Sequence, residues 1–194
     1  MDLSSTFKSE VYRPIVTVLI PGATALAPYL FILNHKYSGI SAFAEKYTAI
    51  SSVIILLLSI VAGFILENIG ARIESNLWDN MQSDNNTHKE EWYKYLRTAF
   101  LHEPVGQRYL RTVTLRMKFE LSFGVSIIPV CLGFLWLYNI GLIDCSVLIY
   151  SGLSLAALFF YLMCESYSSS KVLSSLRKEL LSGVIINPNP SSNA

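Results

Sequence analysis

Residues 67–120 read ENIGARIESNLWDNMQSDNNTHKEEWYKYLRTAFLHEPVGQRYLRTVTLRMKFE, and they hold more than half of the charged side chains of this 194-residue chain. Two long apolar runs precede this stretch and two follow it. Residues 14–34, 47–66, 121–143 and 145–164 contain no Asp, Glu, Lys or Arg. One helix needs about 20 apolar residues to cross roughly 30 Å of hydrocarbon, and each run supplies them. The composition agrees: 52% hydrophobic, 15% charged, mean hydropathy +0.42. Soluble domains carry about 25% charged residues. The pattern predicts an all-α membrane protein with four transmembrane helices. They form two hairpins joined by a cytoplasmic helical segment, and little chain is left for a soluble domain.

The basic residues orient the chain. Lys and Arg number two before residue 14, two in 35–46, eight in 67–120, none in 139–144 and three after 164. The positive-inside rule then places both termini and residues 67–120 in the cytoplasm of an inner (plasma) membrane protein. Segment 1–13 is cytoplasmic, 35–46 is a weakly polar outer loop, 139–144 is an outer turn and 165–194 is a cytoplasmic tail. The N-terminus is polar and mixed in charge, and the first apolar run is full length, so it reads as a retained span. The triplet Asn85-Asn86-Thr87 has no meaning for glycosylation on a cytoplasmic segment.

In the first span (14–34), Pro14, Pro21 and Pro28 recur every seven residues, and Gly22 follows Pro21. Pro21 and Pro28 each remove a backbone hydrogen bond inside hydrocarbon, so a break is expected around Pro21, Gly22 and Pro28. It is either a simple kink or a discontinuous helix lining a cavity. The second span (47–66) continues as a helix toward Asp79. Ser52, Ser59, Gly63 and Gly70 share one face, as in helices that pack closely. Glu67 and Glu74 project from that same face.

Within 67–120, a polar break at 80–89 precedes an amphipathic helix with Trp92, Leu96 and Phe100 on one edge. Pro104 starts another helix that runs unbroken into the third span (121–138). Its apolar stripe is Leu110, Val113, Met117 and Leu121, and Arg108, Arg111, Arg116 and Lys118 lie away from it. Such a basic juxtamembrane helix binds anionic lipid or docks an acidic soluble partner. Pro129 is a further kink, and Trp136 and Tyr138 mark a membrane interface. The fourth span (145–164) leads into a helix carrying Lys171, Arg177 and Lys178, with Gly183 as a stop.

Chemistry-bearing groups are sparse. Cys131, Cys145 and Cys164 lie in or beside apolar runs and read as small packers. His35, His88 and His102 lack a second histidine at ligand spacing, so neither metal nor cofactor is expected. No phosphate loop, nucleophile elbow or dinucleotide fingerprint occurs, and no catalytic residue is assigned. Glu67, Glu120 and Glu165 fall at one depth, at the inner mouths of three spans. They form inter-helix ion pairs with Arg72, Arg116 or Lys118, or else a charged ring at a pore mouth.

The expected function is non-enzymatic: a membrane sensor or anchor, or an oligomeric pore-type effector. It couples a soluble cytoplasmic protein partner to the bilayer as a homo-oligomer, and the build suits a bacterial antiviral-defence or toxin–immunity system. With net charge +1, no direct nucleic-acid binding is expected. Alternatives are a channel or transporter subunit with its site at Pro21-Gly22, and an interfacial enzyme using Glu67, Glu103 or Glu120.

Overall fold

The structure, a computed structural model, describes residues 15–78, 81 and 105–186. The N-terminal segment, the expected polar break around Asp84, the expected helix over Trp92–Phe100, the Arg108 side chain and the tail from Asn187 lie outside the described residues. Every regular element among the described residues is helical. A π-helical turn at Ile15–Leu19 leads into α1 (Ile20–Lys36). Then come α2 (Ser38–Lys46) and α3 (Thr48–Ile73), which ends in a second π-helical turn at Glu74–Trp78. α4 (Val105–Asn139) and α5 (Cys145–Ile186) follow. Four helical stretches, within Thr17–Lys36, Thr48–Trp78, Tyr109–Asn139 and Cys145–Leu176, are long and apolar enough to cross a membrane.

Proline chemistry sets the start of α1. Pro21 has no N–H for the Thr17 carbonyl four residues back. The turn just before it is π-helical, as expected where a regular backbone bond is missing. The buried Ser122 hydroxyl of α4 lies 3.1 Å from that Thr17 carbonyl and 3.2 Å from its own Phe119 carbonyl, so its proton is shared between them. Pro21 is the second residue of α1, and the widened turn before it accommodates the missing N–H. The expected unwinding at Pro21-Gly22 is therefore absent. The chain is helical from Ile15 through Lys36, and Pro21, Gly22 and Pro28 are buried.

α1 and α3 cross with their backbones almost touching. A Cβ on Gly22 would overlap the Ser59 carbonyl and lie 2.7 Å from the Gly63 nitrogen. A Cβ on Gly63 would overlap the Val18 carbonyl and lie 2.6 Å from its carbon. Each helix thus offers a glycine to the other's backbone, the close-approach geometry that small residues permit. Gly70 continues the face against Leu121, at 3.2 Å from its own would-be Cβ. Ser52 does not belong to this stripe. It is exposed and donates to Thr48 of its own helix. Toward its C-terminal end α1 packs against α4. There Pro28 sits on Gly133, whose Cβ would lie 2.5 Å from the proline ring. The Tyr29 hydroxyl donates to the Pro129 carbonyl at 2.8 Å, and its ring meets Trp136 edge-on.

α4 is the central helix, packing against α1, α3 and α5. Ala25, Leu66 and Val125 bring α1, α3 and α4 together. The stripe Leu110, Val113, Met117 and Leu121 is buried against Leu173 of α5. Gly124 makes room for Met163. A glycine turn joins α4 to α5: Gly141 has φ +74°, and the N–H groups of Gly141 and Leu142 reach back to Tyr138 and Leu137. Its two bonds are those of a helix stop that needs a left-handed residue.

Other expectations change. Residues 38–46 are helical, not a loop: Ser38 enters from an extended Tyr37, and good helix formers follow. Gly183 does not stop α5, which runs to Ile186. Cys145 and Cys164 are exposed and only Cys131 is partly buried, because α5 buries just a narrow face against α4. The outer faces of α3 and α5 expose Val53, Leu57, Phe64, Leu153 and Phe160, surface that a bilayer, unlike water, accommodates.

Because the atoms opposing Gly22 and Gly63 are backbone, neither can yield. Gly22→Ala or Gly63→Ala should lower stability in detergent by about 2–3 kcal/mol, as overpacking does. Gly152, with open space around it, is the control. Gly152→Ala should leave the melting temperature unchanged or slightly raised.

Candidate functional site: the Glu120 charge cluster

α4 buries Met117 and Leu121, and Glu120 lies on the same helical face. Its side chain is therefore carried into the bundle and is only 6% exposed. An isolated carboxylate there would be costly, and both of its oxygens are met. Oε1 accepts from Arg116 Nε at 2.7 Å, one helical turn back. Oε2 accepts from the Ser169 hydroxyl of α5 at 3.0 Å. Arg116 then extends its Nη2 to Glu165, also on α5. One guanidinium thus holds two carboxylates and ties α4 to α5, a task its planar fork of donors suits.

Lys118 lies roughly opposite Arg116 and Glu120 around α4. Its ammonium is 3.5 Å from Glu67 of α3. This second tie is long, and both side chains are partly exposed, so it contributes little. α4 is thereby bound on one side to α5 and on the other to α3.

All three acids are in ion pairs: Glu67 and Glu165 pair between helices, whereas Glu120 pairs with Arg116 of its own helix and reaches α5 through Ser169. Glu120 and Glu165 converge on Arg116, and Glu67 stands apart with Lys118. Arg72 is exposed and is not the cation that meets Glu67. A bare acidic ring and a free general base at Glu67 or Glu120 both fit poorly with carboxylates already engaged. Glu103 lies outside the described residues. Arg116 and Lys118, expected to face lipid or a partner, remain 57% and 45% exposed while making these pairs, and Arg111 also has an interaction partner. Among the described residues no three or more His, Cys, Asp and Glu side chains gather as a metal site would need.

A set of buried serines escaped the sequence reading. Ser122, Ser126, Ser166, Ser169 and Ser170 all lie in the interior. Ser126 and Ser166 donate to carbonyls three residues back, and Ser169 serves Glu120. Their spacing was a usable signal. Ser122 and Ser126 are four apart, as are Ser166 and Ser170, with Ser169 beside them. Small hydroxyl residues on one face let membrane helices approach and satisfy polar groups. No protein-family model, curated protein or solved structure matches this chain.

The geometry ranks the substitutions. Arg116→Ala leaves Glu120 buried beside Glu165 without a cation and should cost about 2–3 kcal/mol, below the cost for a fully buried pair because Arg116 is half exposed. Adding Glu120→Gln to it should recover most of that loss in thermal melts. Lys118→Ala should stay within about 1 kcal/mol of the parent.

Proposed function

We propose that this protein is a four-span anchor and relay of an inner (plasma) membrane, coupling a cytoplasmic partner to the bilayer without catalysing a reaction. In this reading both termini and residues 67–120 are cytoplasmic, and the spans form two hairpins, α1 with α3 and α4 with α5. The bias of 13 basic residues to one side and 2 to the other supports that orientation.

The observation that carries the proposal is the placement of the charge cluster along unbroken helices. Nineteen positions separate Thr17 from Lys36, Thr48 from Glu67 and Glu120 from Asn139. At 1.5 Å per residue each interval is about 28 Å, close to the hydrocarbon thickness. The Glu120 cluster then marks the inner boundary. α4 and α5 have 35 and 42 residues, roughly 52 and 63 Å, so both continue well beyond it. Leu110, Val113, Met117 and Leu173 keep them packed there. A partner that moves the cytoplasmic ends moves the membrane-embedded ends of the same rigid helices, with the Arg116 tie between them.

Reporter fusions test the orientation. A cytoplasm-active reporter should function after Asn85 and at the C-terminus and fail after Gly141, and the opposite pattern would overturn the proposal. For the relay, Arg116→Ala should alter protease cleavage within residues 79–104 in membranes while the spans remain inserted. Unchanged cleavage would leave the protein a plain anchor.

A further inference from the structure

Helix α2 sits between two spans, at the end of the bundle away from Glu120. None of its residues is buried. Its two faces differ. Ser38, Ser41, Ala42 and Glu45 border a cleft against Asn34 and His35 at the end of α1. Ile40, Phe43 and Tyr47 project on the other side and are 43–44% exposed. Spacings of three, four and seven put these three on one helical stripe. Phe43 and Tyr47 support one another, ring centroids 5.1 Å apart. A lysine flanks each end: Lys36 lies over the Tyr37 ring at 5.7 Å and Lys46 over the Tyr47 ring at 5.4 Å.

We infer that α2 is an in-plane membrane helix, with Ile40, Phe43 and Tyr47 inserted at the acyl boundary and Lys36 and Lys46 at the lipid phosphates of the leaflet opposite the Glu120 cluster. The inference rests on the four-span reading for its position but on its own contacts for its occupant. Both ends of α2 continue within two residues into apolar spans, so the helix is held at the level where those spans leave hydrocarbon. An amphipathic helix held there lays its apolar stripe into the interface. Tyrosines and lysines favour the headgroup level, where a ring or alkyl stem stays apolar and the polar tip reaches phosphate. A solvent-facing loop has no use for three large apolar side chains on one edge.

The test uses the unaltered protein in liposomes of phosphatidylethanolamine and phosphatidylglycerol containing a phospholipid with a photoactivatable group high on its acyl chain. After irradiation, peptide mass spectrometry should find lipid adducts at Ile40, Phe43 and Tyr47 and none at Ser38, Ser41 or Ala42. Val53 and Leu57 of α3 are the internal standard: adducts there show insertion of the spans. Adducts on α3 with none on α2 would overturn the α2 inference alone, whether α2 is then found water-accessible or cross-linked to a second copy. Absence of adducts on α3 as well would overturn the four-span reading and, with it, the position of α2. In Ile40→Ser/Phe43→Ser protein the α2 adducts should be lost while those on α3 persist, and equal labelling of both proteins would also overturn the inference.

Discussion

The close crossing of α1 and α3 is the constraint on which the arrangement depends. Lipid chains are as apolar as leucine, so apolar burial does little to hold membrane helices together, and close packing must do it. Gly22 and Gly63 let each backbone rest on a carbonyl of the other. With these helices so close, Ala25 and Leu66 form with Val125 one seat for α4. Ser122 then comes within reach of Thr17, and Glu67 within reach of Lys118. The carbonyl of Thr17, whose i+4 residue Pro21 offers no N–H, thus becomes part of the α1–α4 contact.

The second organising element is α4. It meets every other span, and it changes character along its length. Pro28 and Tyr29 grip it at Gly133 and Pro129. Serines and glycine line its middle. Glu120 and Arg116 tie it to α5, and Leu110, Val113 and Met117 pack with Leu173 of α5 toward the N-terminal end of α4. Its buried carboxylate, Glu120, is met at both oxygens by Arg116 and Ser169, while Arg116 and Lys118 keep much of their surface exposed.

Much of the fold was legible in the chain. Spans without a single charge require helices that satisfy their own backbone, and a stripe such as Leu110–Val113–Met117–Leu121 has only one buried side. The acids near the span mouths were also visible, as was the Arg116–Glu120 spacing. The partners were less so. Arg72 and Lys118 are both plausible cations for Glu67, and only the seating of α4 against α3 selects Lys118. The helicity of 38–46 was obscured by its short length and by Gly39, and the interior serines by their ordinary polarity.

The sequence alone determined the four apolar helices, their approximate limits, the charge asymmetry and the faces carrying small residues, because these follow from local composition and helical period. Tertiary structure decided which small residues are used, that Pro21 starts a regular helix after a widened turn instead of breaking one, and that one arginine gathers Glu120 and Glu165 from two helices. These depend on the rotation and crossing of helices far apart in sequence, and helical period constrains a face without naming what lies against it.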